Sequence, residues 1–318
     1  MKGLTLARKY YETYIEQLLT AVPEARGRIA AGLAGEGSQC FGYDDHISQD
    51  HDFGPGFCIW LSDADFAAFG GKLQQAYDAL PDEFEGFSRK GFIARDRLGV
   101  MPISRFYQQF TSFPDGRPQT MVDWLFIPEA QLAAATNGEI FEDGPGFFSG
   151  IREGLLRFYP EDVRRKKIAA RAAVMSQAGQ YNLLRCIKRE DTVAATLALA
   201  RFTEAAISMA HLLDGRYTPF YKWGFRSLKS LPFGRGFVCH LDRIPELEKS
   251  LYERDFVKAH NQAFAITESI CKLAVKELHR QGLSIIESDF LQDHLPEIMD
   301  GIADERLRSL PPMLDCQN

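Results

Sequence analysis

The sequence predicts a two-domain α+β protein, in which a mixed β-sheet with helices is followed by an all-helical domain. Strand-like apolar runs bounded by turn residues occur only in the first half, whereas the second half carries long stretches with helical periodicity. A glycine-rich segment that closes at Pro160 separates the halves and is typical of a domain junction. We therefore place the domains at residues 1–147 and 148–318.

The first domain is predicted to open with a helix and continue with strands. Residues 6–19 carry apolar side chains at spacings of three and four, the pattern of an amphipathic helix. Residues 28–34 are small and apolar and precede Gly35-Glu36-Gly37-Ser38, which predicts a buried strand and a tight turn. Residues 50–61 are expected to form one strand broken at Gly54-Pro55 or two successive strands, and 137–144 a further one. Ser62 is a suitable cap for a helix over 66–80.

Residues 120–128 are apolar apart from Asp123, and we predict another strand there. A carboxylate buried in such a strand is costly unless it has a partner or a metal. We therefore expect the Asp123 carboxylate to have a partner or a metal ion.

The second domain is predicted to be helical over 163–189, 191–213, 245–281 and 289–310. Its first stretch carries a basic run, Arg164-Arg165-Lys166-Lys167, with Arg171, Arg185, Lys188 and Arg189 further along. This run is either a solvated helix face or a surface that binds a triphosphate, an anionic acceptor or RNA.

Composition excludes several classes of protein. With 45% hydrophobic and 25% charged residues, the chain is neither disordered nor fibrous. Its six cysteines are scattered without a CxxC pair, which predicts reduced thiols. The N-terminus lacks the pattern of a secretory signal, and the most apolar long window, 193–213, contains Arg201 and Glu204. We expect a cytoplasmic protein that does not span a membrane.

An acidic constellation carries most of the functional information. On a strand, Asp50 and Asp52 point to the same face, about 6 to 7 Å apart. If the strand of Asp123 lies beside them, three carboxylates converge, and such ligands suit Mg²⁺ or Mn²⁺. Two such ions can clamp the attacking and leaving oxygens of a phosphoryl displacement. The turn at Gly37-Ser38 lets backbone N–H groups and a hydroxyl approach a triphosphate.

This order of strand, Gly-Ser, about ten residues, Asp-x-Asp and a distant third Asp resembles the DNA polymerase beta-type nucleotidyltransferase superfamily, over roughly the first 145 residues. The arrangement of a small catalytic domain before a helical one resembles the kanamycin and other aminoglycoside nucleotidyltransferases, and the string from Gly37 to Pro55 resembles an uncharacterised branch of that group. His51 stands where the pattern usually has an apolar residue.

The resemblance implies transfer of a nucleoside monophosphate from an NTP to an acceptor hydroxyl, with release of pyrophosphate. Gly37 and Ser38 would hold phosphate, while Asp50, Asp52 and Asp123 would hold two Mg²⁺ ions. Asp123 is then best placed to take the proton from the acceptor hydroxyl. Tyr181 and Lys222 are our candidates for base stacking and a γ-phosphate contact. The acceptor is open, with a small molecule favoured over an RNA end or a protein.

Three alternatives remain at this point. Gly-Ser and Asp-x-Asp occur by chance in many loops, where Asp forms turns and caps. A protein of the same fold can bind nucleotides in a regulatory role without catalysis. Arg254 and His260 have the spacing found in a class of helical ribonucleases. A dinucleotide-binding motif is excluded because Cys40 stands where its third glycine belongs.

Overall fold

The computed structural model describes residues 1–49, 53–89 and 97–316, with the side chain of residue 316 left out. The chain forms two compact units, one of residues 1–118 and 131–157 and one of residues 119–130 and 158–318. The first holds a mixed sheet with helices and the second is helical, which confirms the predicted α+β class. The assignment of catalytic and acceptor-binding roles to residues 1–147 and 148–318 stays a prediction.

Six strands lie in the described part of the first unit: β1 Ala30–Leu33, β2 Cys58–Leu61, β3 Glu83–Phe84, β4 Phe87–Ser88, β5 Gly99–Pro102 and β6 Glu139–Asp143. Four of them form a sheet in the order β5-β2-β1-β6. β1 is antiparallel to β2 and β6, and β2 is parallel to β5. β3 and β4 form a separate hairpin. The strands predicted at 28–34 and 137–144 are confirmed. Of the prediction at 50–61, residues 58–61 form β2, residues 53–57 are not a strand, and residues 50–52 lie outside the described residues.

Sixteen α-helices lie in the described ranges, numbered in chain order: α1 Gly3–Ala21, α2 Asp63–Asp65, α3 Gly71–Asp78, α4 Ile103–Thr111, α5 Met121–Phe126, α6 Glu129–Thr136, α7 Phe147–Leu156, α8 Glu161–Met175, α9 Leu184–Lys188, α10 Thr192–Leu213, α11 Tyr221–Leu228, α12 Arg235–Leu241, α13 Ile244–Tyr252, α14 Phe256–Arg280, α15 Leu295–Asp300 and α16 Glu305–Ser309. π-helical turns at Phe66–Gly70 and Ser176–Leu183 connect α2 to α3 and α8 to α9. The stretches 245–281 and 289–310, predicted to be helical, each contain more than one helix.

Both faces of the sheet are covered, which explains why β2 is apolar throughout. Ile59 belongs to a core cluster that includes Tyr10 and Leu18 of α1 and Leu73 of α3. The neighbouring Trp60 points to the opposite face, since successive strand residues alternate. Its ring stacks on Phe148 of α7 with 3.9 Å between centroids. Residues 148–156 thus belong to the first unit, although the sequence analysis placed them in the second domain.

The second unit is built around α8 and α10. By length and composition alone, α10 is apolar enough to cross a membrane. In the helical unit, however, α10 packs against α8 and buries Leu199, Phe202 and Met209. Burial in the helical unit accounts for part of the apolar composition of this helix, whereas Val193 and Leu197 are exposed.

The start of β2 is held by a tyrosine from α3. The Tyr77 hydroxyl accepts a hydrogen bond from the Phe57 N–H at 2.9 Å and donates one to the Phe57 carbonyl at 2.8 Å. Both groups are buried, and burial raises the pKa of Tyr77 well above its usual value. The phenol thus fixes the backbone just before the strand.

We expect Tyr77→Phe to lower the free energy of unfolding by about 1 to 3 kcal/mol, because the buried Phe57 N–H loses its partner. Urea denaturation measures this loss. Tyr252→Phe is the control, since Tyr252 is 88% exposed and its variant should unfold like wild type. Equal stability of the two variants would show that the hydrogen bonds between Tyr77 and the Phe57 backbone do not stabilise the protein.

Candidate functional site

The turn after β1 has the backbone conformation that its glycines predict. Gly35 and Gly37 have φ values of +111° and +106°, a region that side chains other than glycine rarely enter. Asn137 holds the turn from the segment before β6: its Oδ1 accepts from the Gly35 N–H at 2.8 Å, and its Nδ2 donates to the Gly35 carbonyl at 2.7 Å. Sequence analysis missed Asn137 because its contact spans 102 residues.

The same turn presents unused hydrogen-bond donors. Within the described residues, no hydrogen bond uses the N–H groups of Glu36, Gly37 and Ser38 or the Ser38 hydroxyl. Gly37 and Ser38 are half-buried and Glu36 is exposed, so these groups are accessible. Consecutive free N–H groups in a turn of this kind form a concave site for an anion. The turn can therefore accept the oxygens of a phosphate.

Strand direction brings the turn and the chain before β2 to one edge of the sheet. β1 and β2 are antiparallel, with Gly32 opposite Cys58, so the end of β1 lies beside the start of β2. Gly54, just upstream, packs so closely on the hairpin that a Cβ would lie 2.7 Å from the Ser88 carbonyl oxygen. Asp50 and Asp52 lie outside the described residues, as does His51. Their predicted role as metal ligands stays a prediction.

The acidic loop between the turn and Asp50 has structural tasks. Asp44 is 1% exposed, and its Oδ2 accepts from the Gly3 N–H, the first of α1, at 2.9 Å. A carboxylate there satisfies a donor that the helix leaves unpaired and complements the helix dipole. Asp45 is exposed and accepts from the N–H groups of Ile47 and Ser48.

The predicted strand at 120–128 is wrong, because these residues form α5 in the helical unit. Thr120 is the N-cap: its Oγ1 accepts from the Asp123 N–H at 3.1 Å, while Asp123 Oδ2 accepts from the Thr120 N–H at 2.7 Å. Burial raises the pKa of Asp123, but these bonds and one from the Gln119 N–H lower it below its usual value. The spacing Thr-x-x-Asp is the sequence signal of this capping box. The Asp123 carboxylate thus has the partner that the sequence led us to expect, but this partner consists of backbone N–H groups.

Tyr181 and Lys222 make separate contacts in the helical unit. The Tyr181 ring, 47% exposed, lies 3.7 Å from the Arg185 guanidinium carbon. Lys222 is exposed at the first turn of α11, with its Nζ 5.1 Å from the Trp223 ring. Among the described residues, no hydrogen bond or ring contact joins Tyr181 to Lys222. Their role in nucleotide binding stays a prediction.

The basic run in α8 includes two lysines that do not lie on a solvated face. Lys166 and Lys167 are 1% and 2% exposed. Lys166 donates to the Leu310 carbonyl, and Lys167 donates to the Leu125 carbonyl at 3.0 Å. Arg165 pairs with Glu161 at 3.1 Å. Charge in a sequence does not reveal which side of a helix faces the core, so the solvated interpretation is wrong for Lys166 and Lys167. Arg185, Lys188 and Arg189 of the same run are exposed, and anion binding stays a prediction.

A buried polar network around Glu129 was also missed. Arg171 Nη2 lies 2.5 Å from Glu129 Oε1, and Ser208 donates to the same oxygen at 2.9 Å. Thr218 donates to Glu129 Oε2. Arg171 also pairs with Asp315, whose carboxylate is 3% exposed, at 3.0 Å. Burial raises the pKa of both carboxyl groups, but the nearby cations outweigh it and lower both pKa values below their usual range.

The residues of the ribonuclease alternative do not form a pair. Arg254 is exposed and lies before α14, which begins at Phe256, whereas His260 lies within that helix. No ion pair or hydrogen bond joins them in the described part of the chain. In the same ranges, no three His, Cys, Asp or Glu side chains are grouped to hold a metal ion.

Comparisons with known proteins give limited information. A family described as a domain of unknown function, DUF4037, matches residues 124–224, which is less than half of the chain. No curated protein matches. Among solved structures, the crystal structure of a nucleotidyltransferase-like protein from Exiguobacterium sibiricum 255-15 is similar at 12% identity over 90% of each chain. Its TM-score of 0.36 is too low to establish a common fold.

We expect Asn137→Ala to lower the free energy of unfolding by about 1 to 3 kcal/mol, because two hydrogen bonds to Gly35 are lost. Amide exchange at 35–38 should become faster. Asn137→Asp should also lose stability, since it keeps an acceptor for the Gly35 N–H but places a second carboxylate oxygen against the Gly35 carbonyl. Asn261→Ala, at an exposed position, is the control. If amide exchange at residues 35–38 is unchanged in Asn137→Ala, the turn keeps its conformation without Asn137, and the prediction is wrong.

We expect the free energy of unfolding to fall as the pH is lowered, because protonation of Glu129 and Asp315 weakens the buried network. The folded-state pKa values of Glu129 and Asp315 are below their usual values, so their contribution is complete above about pH 5 and is lost as pH falls through the folded-state values. Urea denaturation from about pH 3 to 7 measures the slope. Glu129→Gln should reduce the slope of the free energy of unfolding against pH. Glu248→Gln, at an exposed position, should leave that slope unchanged. Identical slopes in both variants would contradict this account.

Proposed function

We propose that this protein transfers a nucleoside monophosphate from an NTP to an acceptor hydroxyl and releases pyrophosphate. The observation that carries the proposal is the set of unused donors at Glu36, Gly37 and Ser38, on a turn that follows β1 directly. This turn lies at the sheet edge where β2 begins, and Asp50 and Asp52 precede β2 in the sequence.

In this proposal the turn binds the β- and γ-phosphates. The backbone N–H groups of Gly37 and Ser38 and the Ser38 hydroxyl donate to phosphate oxygens, and Asn137 keeps the turn in its open conformation. Donors fixed before the substrate arrives need no reorganisation when charge moves from the α-phosphate to the leaving pyrophosphate.

Asp50 and Asp52 would hold Mg²⁺, since paired carboxylates are hard oxygen ligands. Bound there, Mg²⁺ neutralises phosphate charge and polarises the reacting phosphorus centre. Asp123 is left out, because its ligand role depended on a strand and its carboxylate belongs to a helix cap. A small-molecule acceptor is favoured, as the sequence suggests, and a cytoplasmic location is expected.

We expect an NTP with Mg²⁺ to raise the melting temperature, because a ligand at about 100 times its Kd stabilises by about 2.7 kcal/mol. The measurement is a thermal-shift panel of the four NTPs with Mg²⁺ or with EDTA. Asp50→Asn/Asp52→Asn should abolish the shift, and Ser38→Ala should reduce it. Asp45→Asn, an exposed carboxylate of the same loop, should respond like wild type.

A shift that survives EDTA and the Asp50→Asn/Asp52→Asn variant would contradict the proposed site. Asp123→Asn, included in the panel, tests the ligand role first predicted from the sequence. Pyrophosphate release with a panel of hydroxyl-bearing small molecules separates an enzyme from a regulatory nucleotide-binding protein. Binding without release by any acceptor would favour the latter.

A further inference from the structure

Two buried cations of α8 share one carboxylate oxygen. Lys167 Nζ lies 3.1 Å and Arg171 Nη1 3.0 Å from the same atom, Asp315 Oδ2. The two cations are four residues apart, so they lie on the same face of α8. Convergence on a single oxygen is the arrangement with which paired basic side chains bind a phosphate oxygen.

The segment that supplies this carboxylate, residues 310–315, is held mainly by polar contacts. Lys166 donates to the Leu310 carbonyl, and the Asp315 carboxylate is paired as described above. Pro311 and Pro312 are exposed, and Met313 and Leu314 are only half-buried. The segment therefore gains little stability from apolar burial, and ions that compete for Lys167 and Arg171 also compete with its main attachment.

Charge accounting shows that the site needs an anion. Lys167 and Arg171 carry two positive charges, and Glu129, paired with Arg171, supplies one negative charge. Asp315 supplies the second. Departure of the segment removes one of the two anions that face these cations, so an anion that takes its place favours departure.

A buried hydroxyl without a partner lies beside the same site. Tyr159 is 5% exposed, and its hydroxyl makes no hydrogen bond within the described residues. Lys167 Nζ lies 5.2 Å from the centre of its ring. Buried polar groups are nearly always paired, so this donor marks a place for an acceptor atom. A phosphate offers more acceptor oxygens than the carboxylate of Asp315 does.

The family match covers most of the residues of this site. Residues 124–224 contain Glu129, Tyr159, Lys167 and Arg171, but not Asp315.

We propose that Lys167, Arg171 and Tyr159 form a binding site for a phosphate group, and that Asp315 fills it as an internal ligand until such a group displaces the 310–315 segment. The site lies within the helical unit, and the proposal holds whether or not the chain transfers nucleotides. It assigns residues 310–315 the role of a strap that competes with the phosphate group for Lys167 and Arg171.

The first test measures exchange of the strap in the full chain. Inorganic pyrophosphate at saturating concentration should make amides of residues 310–315 exchange about tenfold faster, because the strap is released from Lys167 and Arg171. Sodium chloride at the same ionic strength is the control for screening. Unchanged exchange with pyrophosphate, or an equal effect of chloride, would overturn the proposal.

The second test removes the internal ligand. Asp315→Asn should bind pyrophosphate about tenfold more tightly than wild type by calorimetry, because the competing carboxylate is gone. Unfolding cannot mimic such a gain. Asp300→Asn, an exposed carboxylate nearby in sequence, should bind like wild type. Equal affinity of Asp315→Asn and wild type, or an equal gain for citrate, would overturn a phosphate site.

If Asp315→Asn is too unstable for calorimetry, the test is its melting temperature with pyrophosphate and with chloride. Rescue by pyrophosphate beyond that given by chloride supports the site, because the added anion replaces the missing one. Failure to rescue would leave Asp315 a purely structural partner of Lys167 and Arg171 and would overturn the proposal.

Discussion

The helical unit depends on the ion pair between Glu129 and Arg171. Glu129 is the first residue of α6 and lies within the segment 119–130, and Arg171 lies in the central helix α8. Ser208 of α10 and Thr218 complete the coordination of the carboxylate. Because neither charge tolerates burial alone, the pair joins the 119–130 segment to α8 within the helical unit. It also explains why residues 119–130 belong to a unit whose other residues begin 28 positions later.

Periodicity predicted the elements whose stability is local. The first helix, the cap at Ser62 and the strands β1 and β6 follow from apolar spacing and turn residues, and all are present. The error at 120–128 has a specific cause. Its apolar run fits a strand or a short helix equally well, and the Thr120–Asp123 box, which decides between them, is a polar signal.

Long-range partners were beyond the reach of the sequence alone. The Gly35–Ser38 turn was predictable from its glycines, but Asn137, which holds it, was not. The charges of α8 were visible, but their burial depends on carbonyls and carboxylates far away along the chain, such as those of Leu310 and Asp315. A charged run therefore indicates that partners exist and leaves open whether they are water, ligand or protein.

The contact between Asn137 and Gly35 also bears on synthesis. The turn lies early in the chain and its clamp 102 residues later, so the ribosome completes β1 long before Asn137 emerges. Until Asn137 has been synthesised, the glycines allow the turn to sample many conformations. The contact between Gly35 and Asn137 closes a long loop, and it can form only when the segment that contains Asn137 is available. The chain thus acquires the ordered Gly35–Ser38 turn only after β6 has docked on β1. A nascent chain that ends before Asn137 has the residues of the turn without its geometry.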